Sequence, residues 1–309
     1  MKYFFLYAVF VLITTNPSFG QAGPDQSPGL YAIAELPTPV LHTAAFTSVF
    51  GGTDGKTLQR DDSGLIREVE FIALPKTVFK IEEVIPGTAP TMYRVTTEDY
   101  PYPNREGYFI DSRFVNTVNY KPSSRLRKLP PQSVIINNLL SAENYRYLWG
   151  GNYRQGIPQM LTFYPPRIPL SQGVKEQWIL KGLDCSGLLY EATNGCTPRN
   201  TSSLIFFGEP VPIATLDADQ IIQTLQTLDI LVWKGHVIIV IDKDRAIESR
   251  LDYDTNREGN QGGVRIRSLK EVLDETLEAR VPVNEYTDVV EGVKKKFVIR
   301  RWYKGEDNQ

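Results

Sequence analysis

Histidine and cysteine are both scarce: the 309-residue chain carries two of each, His42, His236, Cys185 and Cys196. So few, so widely placed, they fit no familiar zinc spacing, and no metal or other cofactor is expected. No glycine-rich phosphate loop appears, and no internal repeat or low-complexity tract is visible. A formal net charge of −2 gives no global electrostatic case for nucleic acid. Beyond the first twenty residues no apolar run approaches the length of a membrane span. Apolar residues make up 41% and charged residues 23%, which is ordinary for a globular chain with a core of its own.

The one long apolar stretch is "YFFLYAVFVLITT", behind Lys2 and ahead of "NPSFGQA". A short positive start, an apolar run and small residues at Ser18 and Gly20 read as a secretory signal peptide over 1–20. The expected location is therefore the periplasm or the extracellular space, with no transmembrane segment in the mature protein.

Residues 21–125 read as an all-β unit. "TVFKIEEV" and "TMYRVTTEDY" alternate in the strand period, and Gly, Pro, Asp and Asn break the strands. "NYKPSSRLRKLPPQS" at 119–133 reads as a linker. Over 126–309 the pattern is helices first, then strands, which is an α+β order. "VIINNLLSAENYRYLWGG" has helical spacing to Gly150-Gly151. "DADQIIQTLQTLD" reads as a short helix or an irregular insert, "SLKEVLDETLEAR" as an amphipathic helix, and "ILVWKGHVIIVID", "AIESRL" and "GVKKKFVIRRWY" as strands.

The chemistry concentrates at "LKGLDCSGLLYEATNG". Asp184 is a good N-cap for a helix opening at Cys185, and Asn194-Gly195 a good stop. A thiol there meets unpaired amides and the positive end of the helix dipole, which favours a thiolate. The Cys185 amide would form half of an oxyanion hole. Ser186 and Gly187 are small, which leaves room for a substrate. On these residues alone a disulfide to Cys196, or an inert buried thiol, stays open.

A thiolate nucleophile calls for a base. His42, in "PVLHTAAF", reads as an ordinary residue of the β unit. His236 opens the apolar strand "HVIIVID" just after Gly235, although a lone strand histidine is also a common packing residue. A hairpin at "DKDR" that pairs Val240 with Asp244 places Glu248 opposite His236 on the same face, where it can orient the imidazole. Ser249, Asp252 and Asp254 are the alternatives.

Four segments in one order carry a resemblance: "YLWGG" at 147–151, "DCSGL" at 184–188, "TPRNTSSL" at 197–204 and "GHVIIVID" at 235–242. Over 145–250 the chain resembles the NlpC-type cysteine peptidases of bacterial cell walls, a papain-like family. The "MYRV…GYFIDSRFV" end of the β unit is similar to the bacterial SH3-like domains found on cell-wall enzymes. The resemblance implies an α+β papain-like catalytic domain, helices packed on an antiparallel sheet, preceded by a small SH3-like barrel. It implies Cys185 as nucleophile, His236 as base and Glu248 at the third catalytic position. It gives Tyr147, Asp184 and Ser186 to substrate binding, and Arg199 to a structural or substrate-binding role. The implied partner is a peptidoglycan stem peptide, cut between γ-D-glutamate and diaminopimelate. The competing classes are an amidase or acyltransferase on the same scaffold and a catalytically inactive wall-binding protein. Two features depart from the family pattern. Glu248 is acidic where a neutral residue is usual, and 152–183 forms a long insert, expected to line or cover the cleft.

Overall fold

The structure, a computed structural model, describes residues 30–252, 262–292 and 295–305. The proposed signal peptide and the alternative carboxylate Asp254 lie outside the described residues. No helix among the described residues is long and apolar enough to cross a membrane.

Among the described residues the chain builds two large, mainly antiparallel sheets and two two-stranded ladders. The first is seven-stranded, in the order Val69–Ala73, Thr38–Leu41, Tyr108–Asp111, Met92–Thr96, Val78–Ile85, Tyr31–Ala34, Val115–Val118. Its strand Met92–Thr96 alternates in part, with Tyr93 and Val95 buried and Arg94 and Thr96 exposed. The sequence leads one to expect a closed barrel. No ladder joins the two outermost strands among the described residues, so hydrogen bonding leaves this sheet open.

The second sheet runs Glu209–Pro210, Lys296–Arg301, Ile230–Trp233, His236–Val240, Arg245–Leu251, Gly262–Ser268. Its central strands are apolar at nearly every position because both faces are covered. Val237 and Ile239 join Ile135, Leu139 and Leu188 from the helices Gln132–Leu140 and Cys185–Ala192. Ile238 and Val240 join Ile221, Val272 and Leu273 from Ala218–Thr224 and Leu269–Ala279 on the opposite side. This is the α+β arrangement expected from the order of elements.

The first of these helices is shorter than its spacing suggests. It ends at Leu140, and Asn144 turns the chain with a φ of 68° before Tyr147 bridges to Leu183. "YLWGG" thus starts as extended chain and turns at Trp149-Gly150, and it meets the backbone around the cysteine. The Asp184 amide donates to the Gly151 carbonyl at 2.9 Å.

The insert 152–183 does not line the cleft described below. It joins the core of the first sheet, where Trp178 and Met160 are fully buried beside Phe46 and Phe71. The Tyr164 hydroxyl donates to buried Asp111 at 2.6 Å, and the Trp178 indole N–H donates to the Tyr164 carbonyl at 2.8 Å. "FYPP" supplies this packing: Phe163 meets Phe114 edge-on at 5.0 Å. The expectation of an insert over the cleft fails because these aromatics find a ready-made apolar surface on the first sheet.

Asn152 completes the junction. Its side chain accepts from the Ile72 amide at 2.9 Å and donates to the Ile72 carbonyl at 2.8 Å, as a neighbouring strand would. Asn152→Ala leaves two buried main-chain groups without partners, at a cost of about 1–3 kcal/mol. A lower urea midpoint should report this, and an unchanged midpoint would show that the junction bears no weight.

Candidate active site

The helix Cys185–Ala192 begins where Asp184 caps it, its carboxylate accepting from the Gly187 amide at 2.7 Å. Gly187 lies so close to the Gly151 carbonyl that a Cβ would stand 1.9 Å from that oxygen. The smallness of this residue is therefore demanded by the protein's own backbone and not by a substrate. "WGG" and "DCSG" are two halves of one close approach.

Both cysteines are free thiols, so no disulfide claims Cys185. Its Sγ lies 3.9 Å from the Gly235 carbonyl oxygen, and the Val237 amide also acts on it, so the sulfur rests against the main chain on either side of His236. Gly235 is itself held, its amide donating to Thr201 Oγ1 at 3.0 Å. Cys185, His236, Glu248 and Tyr147 line one cleft of about 450 Å³. This is the size of a small-ligand site.

His236 and Glu248 meet, Nε2 to Oε2 at 2.6 Å. The hairpin register differs from the one expected. Ile239 pairs with Ile247 and Val240 with Ala246, and the loop is Asp242, Lys243, Asp244. Asp242 sets it by accepting from the Asp244 and Arg245 amides at 3.0 and 2.9 Å, which moves the turn one residue along. The pairing slides by two residues. Strand side chains alternate with a period of two, so Glu248 keeps the face of His236 and reaches it diagonally. With Nε2 engaged by Glu248, Nδ1 is the ring nitrogen left for a thiol proton. Of the alternatives, Ser249 donates to the Leu183 carbonyl at 2.7 Å and Asp252 pairs with Arg265 at 2.5 Å.

Arg267 completes this set of charges. It donates to the other Glu248 oxygen at 3.3 Å and grips Glu275 of the helix Leu269–Ala279 with both terminal nitrogens. Glu248 is only 1% exposed, and burial pushes its carboxyl up. The hydrogen bond and charge of His236, together with Arg250 and Arg267, outweigh burial and hold it below the usual range.

Asp184, Ser186 and Arg199 lie behind Cys185 and are not among the residues lining the cleft. Arg199 donates to both Asp184 oxygens at 2.9 and 2.5 Å, to Ser186 Oγ at 2.8 Å and to Asn152 Oδ1 at 3.1 Å. All three are buried in this network. Tyr147 stands at the cleft wall, and its hydroxyl is held neutral by burial and by the nearby Asp184 and Cys185.

The thiol itself departs from expectation. Burial and then the Asp184 carboxylate push Cys185 up to about 12, against the pull of Arg199 and the Ser186 and Val237 amides. The helix dipole favours a thiolate, but desolvation of the buried sulfur wins. The surroundings of Cys185 thus favour the neutral thiol over the thiolate.

Sequence reading missed Trp233, Arg267 and Arg280, which line the cleft beside the four residues it found. Alternation of charge in "RIRS" could have placed Arg267 on one face of its strand, but not which carboxylate it meets.

No family model matches the sequence, and no curated protein matches it. Among solved structures, a NlpC/P60 family protein from Bacillus cereus overlays 88% of this chain and 99% of its own at 15% identity, TM-score 0.47. RipD from Mycobacterium tuberculosis, described as a non-catalytic NlpC/p60 domain protein adapted to peptidoglycan binding, covers 55% of this chain and 95% of its own at 15% identity, TM-score 0.30. NlpC1 from Trichomonas vaginalis covers 89% of this chain and 69% of its own at 11% identity, TM-score 0.31. The chain is similar to these proteins at that level, and the chemistry rests on the geometry above.

In a Cys196→Ser background, alkylation of Cys185 by iodoacetamide should be slower at pH 7 than that of a free thiol and climb with pH; a plateau near pH 6 would instead reveal a resting ion pair. The lowered Glu248 carboxyl contributes stability that is present above its ordinary value of 4.5 and is lost as pH falls through the folded value. The stability advantage of wild type over Glu248→Gln should therefore be larger at pH 7 than at pH 3, read by urea unfolding at both.

Proposed function

We propose that this chain is an exported NlpC-type cysteine endopeptidase that hydrolyses peptidoglycan stem peptides at the γ-D-glutamyl–diaminopimelate amide. One observation carries the reading: a free thiol at a helix N-terminus shares a cleft with an imidazole whose far nitrogen is fixed by a buried carboxylate. Neither a packing cysteine nor a packing histidine needs that arrangement.

His236 takes the Cys185 proton as the sulfur adds to the amide carbonyl. Negative charge on the oxygen meets the N–H groups of the first helical turn, which have no partner within the helix. The imidazolium stays oriented by Glu248 and gives its proton to the leaving amine as the C–N bond breaks. Water, deprotonated by His236, then cleaves the thioester and restores the thiol. Glu248 would favour the imidazolium strongly if unopposed, and Arg267 offsets its charge, bringing an acidic third residue closer to a neutral one.

The first sheet's half of the chain contributes Leu65 and Arg67 to the cleft. Arg67 lies over the Trp149 ring at 4.2 Å. This wall supports access for short stems with a free amino terminus over intact cross-linked wall.

Defined stem peptides incubated with wild type, Cys185→Ala and His236→Ala test the reading by mass analysis. Wild type should release a fragment with a new amine, and Cys185→Ala should be slower by on the order of 10⁴-fold or more. Equal release by wild type and Cys185→Ala would end the enzyme reading. Binding of peptides without turnover would favour a wall-binding protein, and transfer to an added amine an acyltransferase.

A further inference from the structure

The charges lining the cleft do not balance. Four arginines face it, Arg67, Arg250, Arg267 and Arg280, against the carboxylates Glu248 and Glu275. Three of the four are already engaged. Arg67 pairs with Asp61 at 2.5 Å, Arg250 with Glu275 at 3.5 Å, and Arg267 with Glu248 and Glu275. Arg280 has no carboxylate partner among the described residues. Its guanidinium instead lies over the Trp233 ring at 4.3 Å, and that ring packs at 5.2 Å from the His236 ring. A fixed, partly desolvated cation thus stands one indole away from the proposed base.

An arginine stacked on an aromatic face keeps its N–H edge free and its plane fixed. That edge fits a carboxylate through two parallel hydrogen bonds. Burial lowers the Arg280 pKa with only Tyr286 opposing, so an anion from outside would relieve an existing cost. Its side is set by the chemistry. His236 gives its proton to the leaving amine, so the amine-bearing half of the substrate lies toward His236, and Trp233 with Arg280 extends the cleft from there.

We propose that Arg280, backed by Trp233, forms a subsite for a carboxylate on the leaving, amine-bearing half of the substrate. The placement on that half rests on the peptidase reading; the carboxylate site itself does not.

The test uses the full chain as Cys185→Ala, so that binding is read without turnover. A defined stem tripeptide and the same peptide with both diaminopimelate carboxylates amidated are titrated by calorimetry. The acid should bind about tenfold more tightly than the amide. Arg280→Gln should bring that ratio close to one, and Arg280→Lys should restore only part of it, since an ammonium cannot offer a planar pair of donors. Thermal unfolding of both variants guards against loss of fold, and Arg280→Lys carries the test if Arg280→Gln is unstable. An unchanged acid-to-amide ratio in Arg280→Gln, or no binding of either peptide, overturns the subsite. Acid preference through Arg280 in a protein that cleaves nothing would sustain the subsite and sink the peptidase. Cleavage with the same acid-to-amide ratio of kcat/KM in wild type and Arg280→Gln would do the reverse.

Discussion

The buried pair of Asp184 and Arg199 holds the rest in place. One carboxylate caps the cysteine helix and accepts two guanidinium nitrogens. The same guanidinium reaches the Gly151 carbonyl at 3.3 Å and the Asn152 side chain, which in turn grips Ile72 of the first sheet. Breaking such a pair by deleting one partner typically costs about 3–5 kcal/mol, because the remaining charge is stranded away from water. The pair is therefore less a source of net stability than a specification. Only one seating of the cysteine helix, the "WGG" segment and the first sheet satisfies every donor.

The same burial that fixes the sulfur also disfavours its anion. Asp184 adds to that penalty, and Arg199 only partly cancels it. The balance is struck on the other side of the cleft by a row of alternating charge: the imidazole, then Glu248, Arg267 and Glu275. The last of these sits on the helix Leu269–Ala279, so the electrostatics of the proposed base are anchored to an element that also packs under the sheet.

The central residues of the site were legible because they obey short-range rules. A capping aspartate before the cysteine, a glycine before the histidine and a carboxylate of the right parity survive even a hairpin slid by two residues. Parity is robust; register is not, since it turned on where Asp242 bends the loop. Long-range partners left no such mark. Of the structural and binding roles open to Arg199, its contacts fit the structural one, but its sequence neighbourhood does not name Asp184 as the partner. Gly187 looked like room for a ligand when it is room for Gly151. The insert is expected to line or cover the cleft because of its length between two site motifs, and only the apolar interior of the first sheet, which takes Trp178 and Met160, decides otherwise.

That last point bears on how the molecule can be taken apart. Trp178, Tyr164 and Met160 come late in the chain yet complete the apolar interior begun by the early strands. A fragment started at the irregular connection near 126 would carry a naked indole and an orphaned tyrosine, while its counterpart would be left with a hole where they belong. The two halves are thus interlocked pieces, not beads on a string, and neither can be lifted out whole.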